Sequence, residues 1–234
     1  METNELVRNY AAKAAQSALF RSVYLWMTLA LAITGFTAMY IAKSYTFLEM
    51  MIAQNSMMFW GLLIAEIGLV MYLSARIQRI SFTTATLLFI AYSIVNGLTL
   101  SILFMVYTMS SIATTFFITA GTFGAMALFG YITKKDLTRI GSLCGMAVIG
   151  LIIAMIVNMF LHNSMMDMVI SGIGVLVFVG LTAYDSQKIK QMLTGNDIEI
   201  NETTQKIALM GALTLYLDFI NLFIYLLRLF GDRK

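Results

Sequence analysis

The chain of 234 residues contains no proline, one cysteine and one histidine, and only 12% of it is charged. The lone cysteine, Cys144, rules out an internal disulfide framework and the usual cysteine-rich metal sites. Average usage would supply about a dozen prolines, so helices here are not kinked by that residue, and any break must come from glycine or polar side chains. Charge is as sparse as proline. The net charge of +3 is scattered, with no basic run longer than two residues, which argues against nucleic acid as a partner. No Ser/His/Asp set, zinc-binding histidine pair or phosphate loop is present, so an enzyme is not expected.

What is present is apolar. Hydrophobic residues make up 60% of the chain and the mean hydropathy is +0.84, against ~45–50% apolar in a soluble domain. The expected solvent is therefore the lipid bilayer. The 19 methionines read as adaptable packing in a helix bundle rather than as a metal channel. Spanning-length apolar runs place helices near 21–42, 57–76, 83–107, 112–132, 141–161, 167–187 and 205–229. The fold class is an all-α integral membrane protein with seven transmembrane helices. The whole of 1–234 reads as one polytopic domain with a short cytosolic lead over 1–20 and no cleavable signal.

Basic residues orient the chain. With the N-terminus cytosolic, Arg76, Arg79, Lys134, Lys135, Arg139, Lys188, Lys190 and Lys206 fall on the cytosolic side, and the opposite loops hold only Lys43. Arg228, Arg233 and Lys234 then break the rule if the last helix spans. Either protein surrounds that helix or it re-enters; spanning is the reading adopted. Small-residue pairs, Ala120 with Gly124 and Gly141 with Gly145, suit close helix packing.

The last segment, LTLYLDFINLFIYLLRLF, carries Asp218 among membrane-like residues. A central charge costs at least ~3 kcal/mol on insertion scales, so it needs a compensating environment or a task. Gly211, Thr214, Asp218, Asn221, Tyr225 and Arg228 recur at steps of three and four, forming one polar stripe that should face the bundle interior or water. Glu66 lies near the middle of the second helix, where it either lines a route or sits neutral. Asp185, near the cytosolic end of the sixth, reads in isolation as an interfacial charge beside Lys188. Two carboxyl groups meeting across helices share a proton, and losing it turns attraction into repulsion. Fully ionised, they would attract a hard cation such as calcium. Contact between Asp185 and Asp218 requires the sixth helix to run inward beyond Lys190, or the seventh to start late.

The blocks AYDSQKIK and LTLYLDFINLFIYLLRLFG, with NGLTLS at 96–101, resemble the transmembrane Bax inhibitor motif family in its bacterial branch. The resemblance covers essentially the whole chain. It implies two three-helix layers around a central C-terminal helix, and a pH-dependent calcium leak whose gate is a hydrogen-bonded aspartate pair. By motif that pair is Asp185 and Asp218, with Arg76, or Arg79 beside it, as the interacting arginine. Glu66, Thr214, Asn221 and Tyr225 are the ion-pathway candidates, and calcium is the transported ion, with the aspartates as its candidate metal contacts and no cofactor required. The alternative is a non-channel regulator that binds a membrane-embedded protease or a stress-response partner through residues 1–20. A third is a proton-coupled transporter. The expected location is the bacterial inner membrane.

Other constellations carry less. A retinal protein would need a lysine within the last helix, which has only Lys206 at its mouth. The loop GNDIEINETTQ offers Asp197, Glu199 and Glu202 but lacks the turn glycine and closing glutamate of a calcium loop. His162 is expected at an interface, and Asn201-Glu202-Thr203, formally a glycosylation pattern, falls in an expected cytosolic loop.

Overall fold

A chain without proline must start and stop its helices by other means, and here polar side chains do so. Ser81 accepts from the N–H of Thr84 at 3.2 Å, Thr108 from that of Ser111 at 3.3 Å, and Asn201 from that of Thr204 at 3.0 Å. Asn163 takes the N–H groups of Met165 and Met166. These are N-caps, each satisfying donors that a helix start leaves orphaned. The computed structural model describes residues 2–44, 49, 56–195 and 198–234.

Among the described residues the main helices are α1 (Glu2–Ala42), α2 (Ser56–Arg76), α3 (Phe82–Leu100), the single turn α4 (Leu103–Val106), α5 (Met109–Ile132), α6 (Thr138–Leu161), α7 (Ser164–Met192) and α8 (Glu202–Phe230). Counting α3 and α4 as one span, seven are long and apolar enough to cross a membrane. Large apolar side chains such as Phe36, Trp60, Ile64, Phe117, Met146 and Phe160 lie exposed on them. Lipid, not water, accommodates such a surface.

Three boundaries differ from expectation. From Glu2 onward the expected lead is helical and continuous with the first span. The third span breaks after Leu100, where Ser101 caps α3 and its hydroxyl turns back to the carbonyl of Leu98 at 2.6 Å. The sixth span runs on past Lys190 to Met192.

The chain forms two compact units: residues 1–106 with 192–216, and residues 107–191 with 217–234. In the first unit α1 and α2 both pack on α3. Ala12, Ala15, Leu19, Val23, Met27, Ala30, Thr34 and Ala38 are the buried stripe of α1, at steps of three and four. Gly97 lets α3 approach α1 closely, since a Cβ there would meet the carbonyl oxygen of Thr34 and the side chain of Thr37. In the second unit Gly130 of α5 lies against the Ala183 backbone of α7, and Gly141 of α6 against the ring of Tyr184. The expected partners of such packing, Gly124 and Gly145, instead face open space. α8 is the most enclosed span, with 67% of its most apolar window buried.

His162 takes a left-handed conformation, φ 51° and ψ 38°, and ends α6 by donating its N–H to the Asn158 carbonyl at 2.8 Å. The expected loop aspartate Asp197 lies outside the described residues, whereas Glu202 begins α8 and pairs with Lys206 at 2.9 Å.

Candidate functional site: the Asp185–Asp218 pair

Asp185 sits on a stretch of α7 that is clamped from both sides of the α5–α6 turn. Ser186 donates to the carbonyl of Ala127 at 2.8 Å. Gln187 accepts from the N–H of Leu137 at 2.9 Å and donates to the carbonyl of Lys135 at 2.8 Å. Lys190 reaches the carbonyl of Tyr131 at 2.7 Å and lies over that ring, 4.7 Å from its centroid. Together with the close approach at Gly130, these contacts fix the rotation of α7 at residue 185. Within the turn, hydrogen bonds from the Thr138 hydroxyl and N–H hold the exposed Asp136 carboxyl below its ordinary range.

Asp218 is set by aromatic packing. Phe219, its neighbour on α8, meets Phe116 and Phe123 of α5 edge-on, each with ring centroids 5.5 Å apart. Two turns on, Tyr225 stacks on Phe178 of α7 at 5.7 Å, over the space left by Gly174, and its hydroxyl reaches Met155 Sδ at 3.8 Å. α8 is thereby pinned to α5 on one side and to α7 on the other.

The two helices bring the acids together: the side chains of Asp185 and Asp218 are hydrogen-bonded. Asp218 is 4% exposed, Asp185 half-buried. Asp218 Oδ2 is buried without a partner. Lys188 acts electrostatically on Asp185, and the half-buried thiol of Cys144 senses Asp218. An ionised carboxylate can only accept, so this contact exists only while at least one of the two acids is protonated. α7 runs beyond Lys190 to Met192, whereas α8 does not start late.

The other candidates divide between the units. Arg76 closes α2 in the first unit and is exposed, as is Arg79 in the turn that follows. Of the polar stripe on α8, Gly211, Asp218 and Tyr225 are buried, Thr214 and Asn221 half-buried and Arg228 exposed. The stripe is not the only inward face, because leucines and phenylalanines on other faces of α8 are buried as well. Thr214 and Asn221 satisfy themselves on their own helix, donating to the carbonyls of Met210 at 3.0 Å and Leu217 at 2.8 Å.

Glu66 belongs to a separate network in the first unit that the sequence reading did not foresee. Its Oε2 lies 3.4 Å from Asn96 Nδ2 and its Oε1 is buried without a partner, while the Thr99 hydroxyl donates to the Val95 carbonyl at 3.3 Å. Asn96 Oδ1 lies 3.0 Å from the hydroxyl of Tyr216, which lies 2.7 Å from that of Thr34; Thr34 in turn donates to the Ser93 carbonyl at 2.9 Å. Tyr216 is fully buried, edge-on to Phe89 and Tyr92. The NGLTLS segment thus supplies an amide to Glu66, the glycine against α1 and the serine that stops α3.

Comparison with known proteins gives the family. The model of the family described as inhibitor of apoptosis-promoting Bax1 matches residues 16–234. The chain belongs to this Bax inhibitor-1-like family of membrane proteins. Among its relatives, the inner membrane protein YbhL of Escherichia coli is 48% identical over 224 residues, 95% of this chain and 94% of the relative. A protein of Borreliella burgdorferi is 45% identical over 210 residues, covering 89% of each chain. One of Rickettsia prowazekii is 44% identical over 216 residues, 91% of this chain and 88% of its own. The protein is accordingly a multi-pass integral membrane protein, and the family resemblance drawn from its last two spans holds over nearly the full length.

Proposed function

We propose that the protein is a pH-sensitive calcium leak pathway of the bacterial inner membrane, gated by the protonation of Asp185 and Asp218. The observation that carries this reading is the hydrogen bond between the two acids, which a proton holds together. When the pair loses that proton, two adjacent negative charges on α7 and α8 repel each other inside a poorly solvated bundle. Two carboxylates offer at most four oxygens, fewer than the ~6–8 that calcium takes up, so the pair suits an ion in passage completed by water and backbone oxygens rather than a resident one. Glu66, Thr214, Asn221 and Tyr225 are proposed along the route.

The test is calcium flux into liposomes carrying the full chain, measured across pH. Wild type should leak with a pH-dependent rate, and Asp218→Asn should remove that dependence. Identical pH profiles for the two proteins would overturn the gating role. Uptake against a calcium gradient would instead favour a proton-coupled transporter.

A further inference from the structure

Arg228 and Arg233 are two of the three basic residues that break the basic-inside pattern, and the second unit gathers both around one cavity. It has a volume of about 430 Å³, and its lining includes Tyr107, Ser164, Asp167, Ser171, Arg228 and Arg233. Arg228 lies ten residues beyond Asp218 on α8, about 15 Å further along the helix axis at 1.5 Å per residue. The cavity is therefore at the opposite end of this unit's spans from the aspartate pair. The orientation expected from the loops puts it on the non-cytosolic side, where lysine and arginine are depleted.

The cavity is built rather than incidental. Residues following α8 are tied to the start of α5: Tyr107 and Arg233 form an antiparallel bridge, Thr108 N–H donates to the Asp232 carbonyl at 3.1 Å, and Asp232 N–H donates to Ser111 Oγ at 2.9 Å. This holds the Arg233 backbone beside the lining. Among the described residues, neither guanidinium has a carboxylate partner, and the hydroxyls of Tyr107 and Ser164 have no hydrogen bond. The one carboxylate in the lining, Asp167, is taken up by Asn158 Nδ2 at 2.6 Å, and Ser171 donates to the Asp167 carbonyl at 2.7 Å. The N–H groups of Met165 and Met166 are already capped by Asn163, so α7 contributes its positive N-terminal field rather than free donors.

Two guanidiniums against one committed carboxylate, with two free hydroxyls, form a receptor for an anion. Guanidinium forks match the oxygens of a phosphate bidentately. The volume exceeds what a bare ion needs and lies within the ~300–1,000 Å³ of small-ligand sites. We infer that this cavity binds a phosphate-type oxyanion, presented either by an anionic phospholipid headgroup or as free phosphate. Such a ligand accounts for Arg228 and Arg233 standing where the topology rule disfavours them.

The experiment is native mass spectrometry of the detergent-solubilised full chain, titrated with phosphatidylglycerol, phosphatidylcholine and inorganic phosphate. Wild type should retain phosphatidylglycerol in preference to the zwitterionic lipid, and Arg228→Gln/Arg233→Gln should weaken that binding about tenfold or more, as loss of a bidentate charge pair does. Displacement of the lipid by millimolar phosphate would assign the site to the free ion; persistence would assign it to the headgroup. Tyr107→Phe, which removes one donor and leaves both arginines, should weaken binding by a few-fold and serves if the double variant fails to fold. Unchanged phosphatidylglycerol and phosphate binding in the folded variants would overturn the proposal.

Discussion

Asp185 and Asp218, thirty-three positions apart in the chain, share a hydrogen bond that exists only while the pair holds a proton. An asparagine at 218 supplies a permanent neutral donor in nearly the same shape. In Asp218→Asn the contact should therefore persist at pH values where the wild-type pair has lost its proton. Hydrogen exchange of the amides of residues 183–190, followed against pH, should accelerate in wild type as the pair deprotonates and stay flat in the variant. Acceleration of equal size in both would show that the aspartates do not hold this segment.

Gly130 and Gly124 lie on the same helix but in opposite circumstances. A side chain at 130 would collide with the Ala183 backbone, while one at 124 would enter open space. Gly130→Ala should destabilise the protein by ~1–3 kcal/mol or more, because backbone on the facing helix cannot step aside as a rotamer can. Gly124→Ala should be neutral or slightly stabilising through helix propensity. Thermal unfolding in detergent compares them. Since Gly130 sets the distance between α5 and α7, its substitution should also disturb the Asp185–Asp218 contact, while that of Gly124 should not.

The contrast between these glycines shows where sequence reading reached its limit. Spans were legible because apolar length is a local property, and the aspartate pair was legible because its two motifs are long. The contacts that hold α7 in place were not. Ser186 and Gln187 bond to backbone groups of residues 127, 135 and 137, and nothing local marks which carbonyl a serine or glutamine will find. Small-residue spacing indicated Ala120 with Gly124, yet the close approach is at Gly130, because spacing states that a helix can be approached and not from where. Tyr216 escaped notice for a similar reason: beside the conspicuous Asp218 it reads as one more aromatic residue. The helical extension over 2–20 did leave a signal, since that stretch has no glycine or proline and is rich in alanine.

That extension alters what an N-terminal truncation means. Ala12, Ala15 and Leu19 are buried, and Gln16 donates to the Gly195 carbonyl at 2.8 Å. Deleting residues 1–20 should lower thermal stability as well as remove any partner-binding surface. Leu19→Ala alone should cost ~2–4 kcal/mol by vacating a packed site. A stability loss in the deletion with retained flux at lower temperature would fit a structural role. Full stability together with a lost regulatory phenotype would favour the protease-binding alternative.

The Glu66 network can be tested by counting protons. Thr34 and Tyr216 have two hydroxyl protons between them, but three contacts need one: Thr34 with the Ser93 carbonyl, Thr34 with Tyr216, and Tyr216 with Asn96 Oδ1. Turning the Asn96 amide over resolves the shortage, because oxygen and nitrogen of an amide are interchangeable in shape. The Asn96 NH2 then donates to Tyr216, Tyr216 to Thr34, and Thr34 to Ser93, with no proton counted twice. The amide oxygen is left facing Glu66, and that contact forms only if the carboxyl brings its own proton. The arrangement is thus expected with a neutral Glu66. Glu66→Gln, which presents a neutral donor of the same length, should preserve thermal stability, whereas Tyr216→Phe should cost ~1–3 kcal/mol by leaving buried groups unpaired. Infrared spectra at neutral pH should show a protonated carboxyl band that Glu66→Gln removes. A carboxylate band lost in its place would mean that Asn96 keeps its present orientation and that one of the three hydroxyl contacts is unmade.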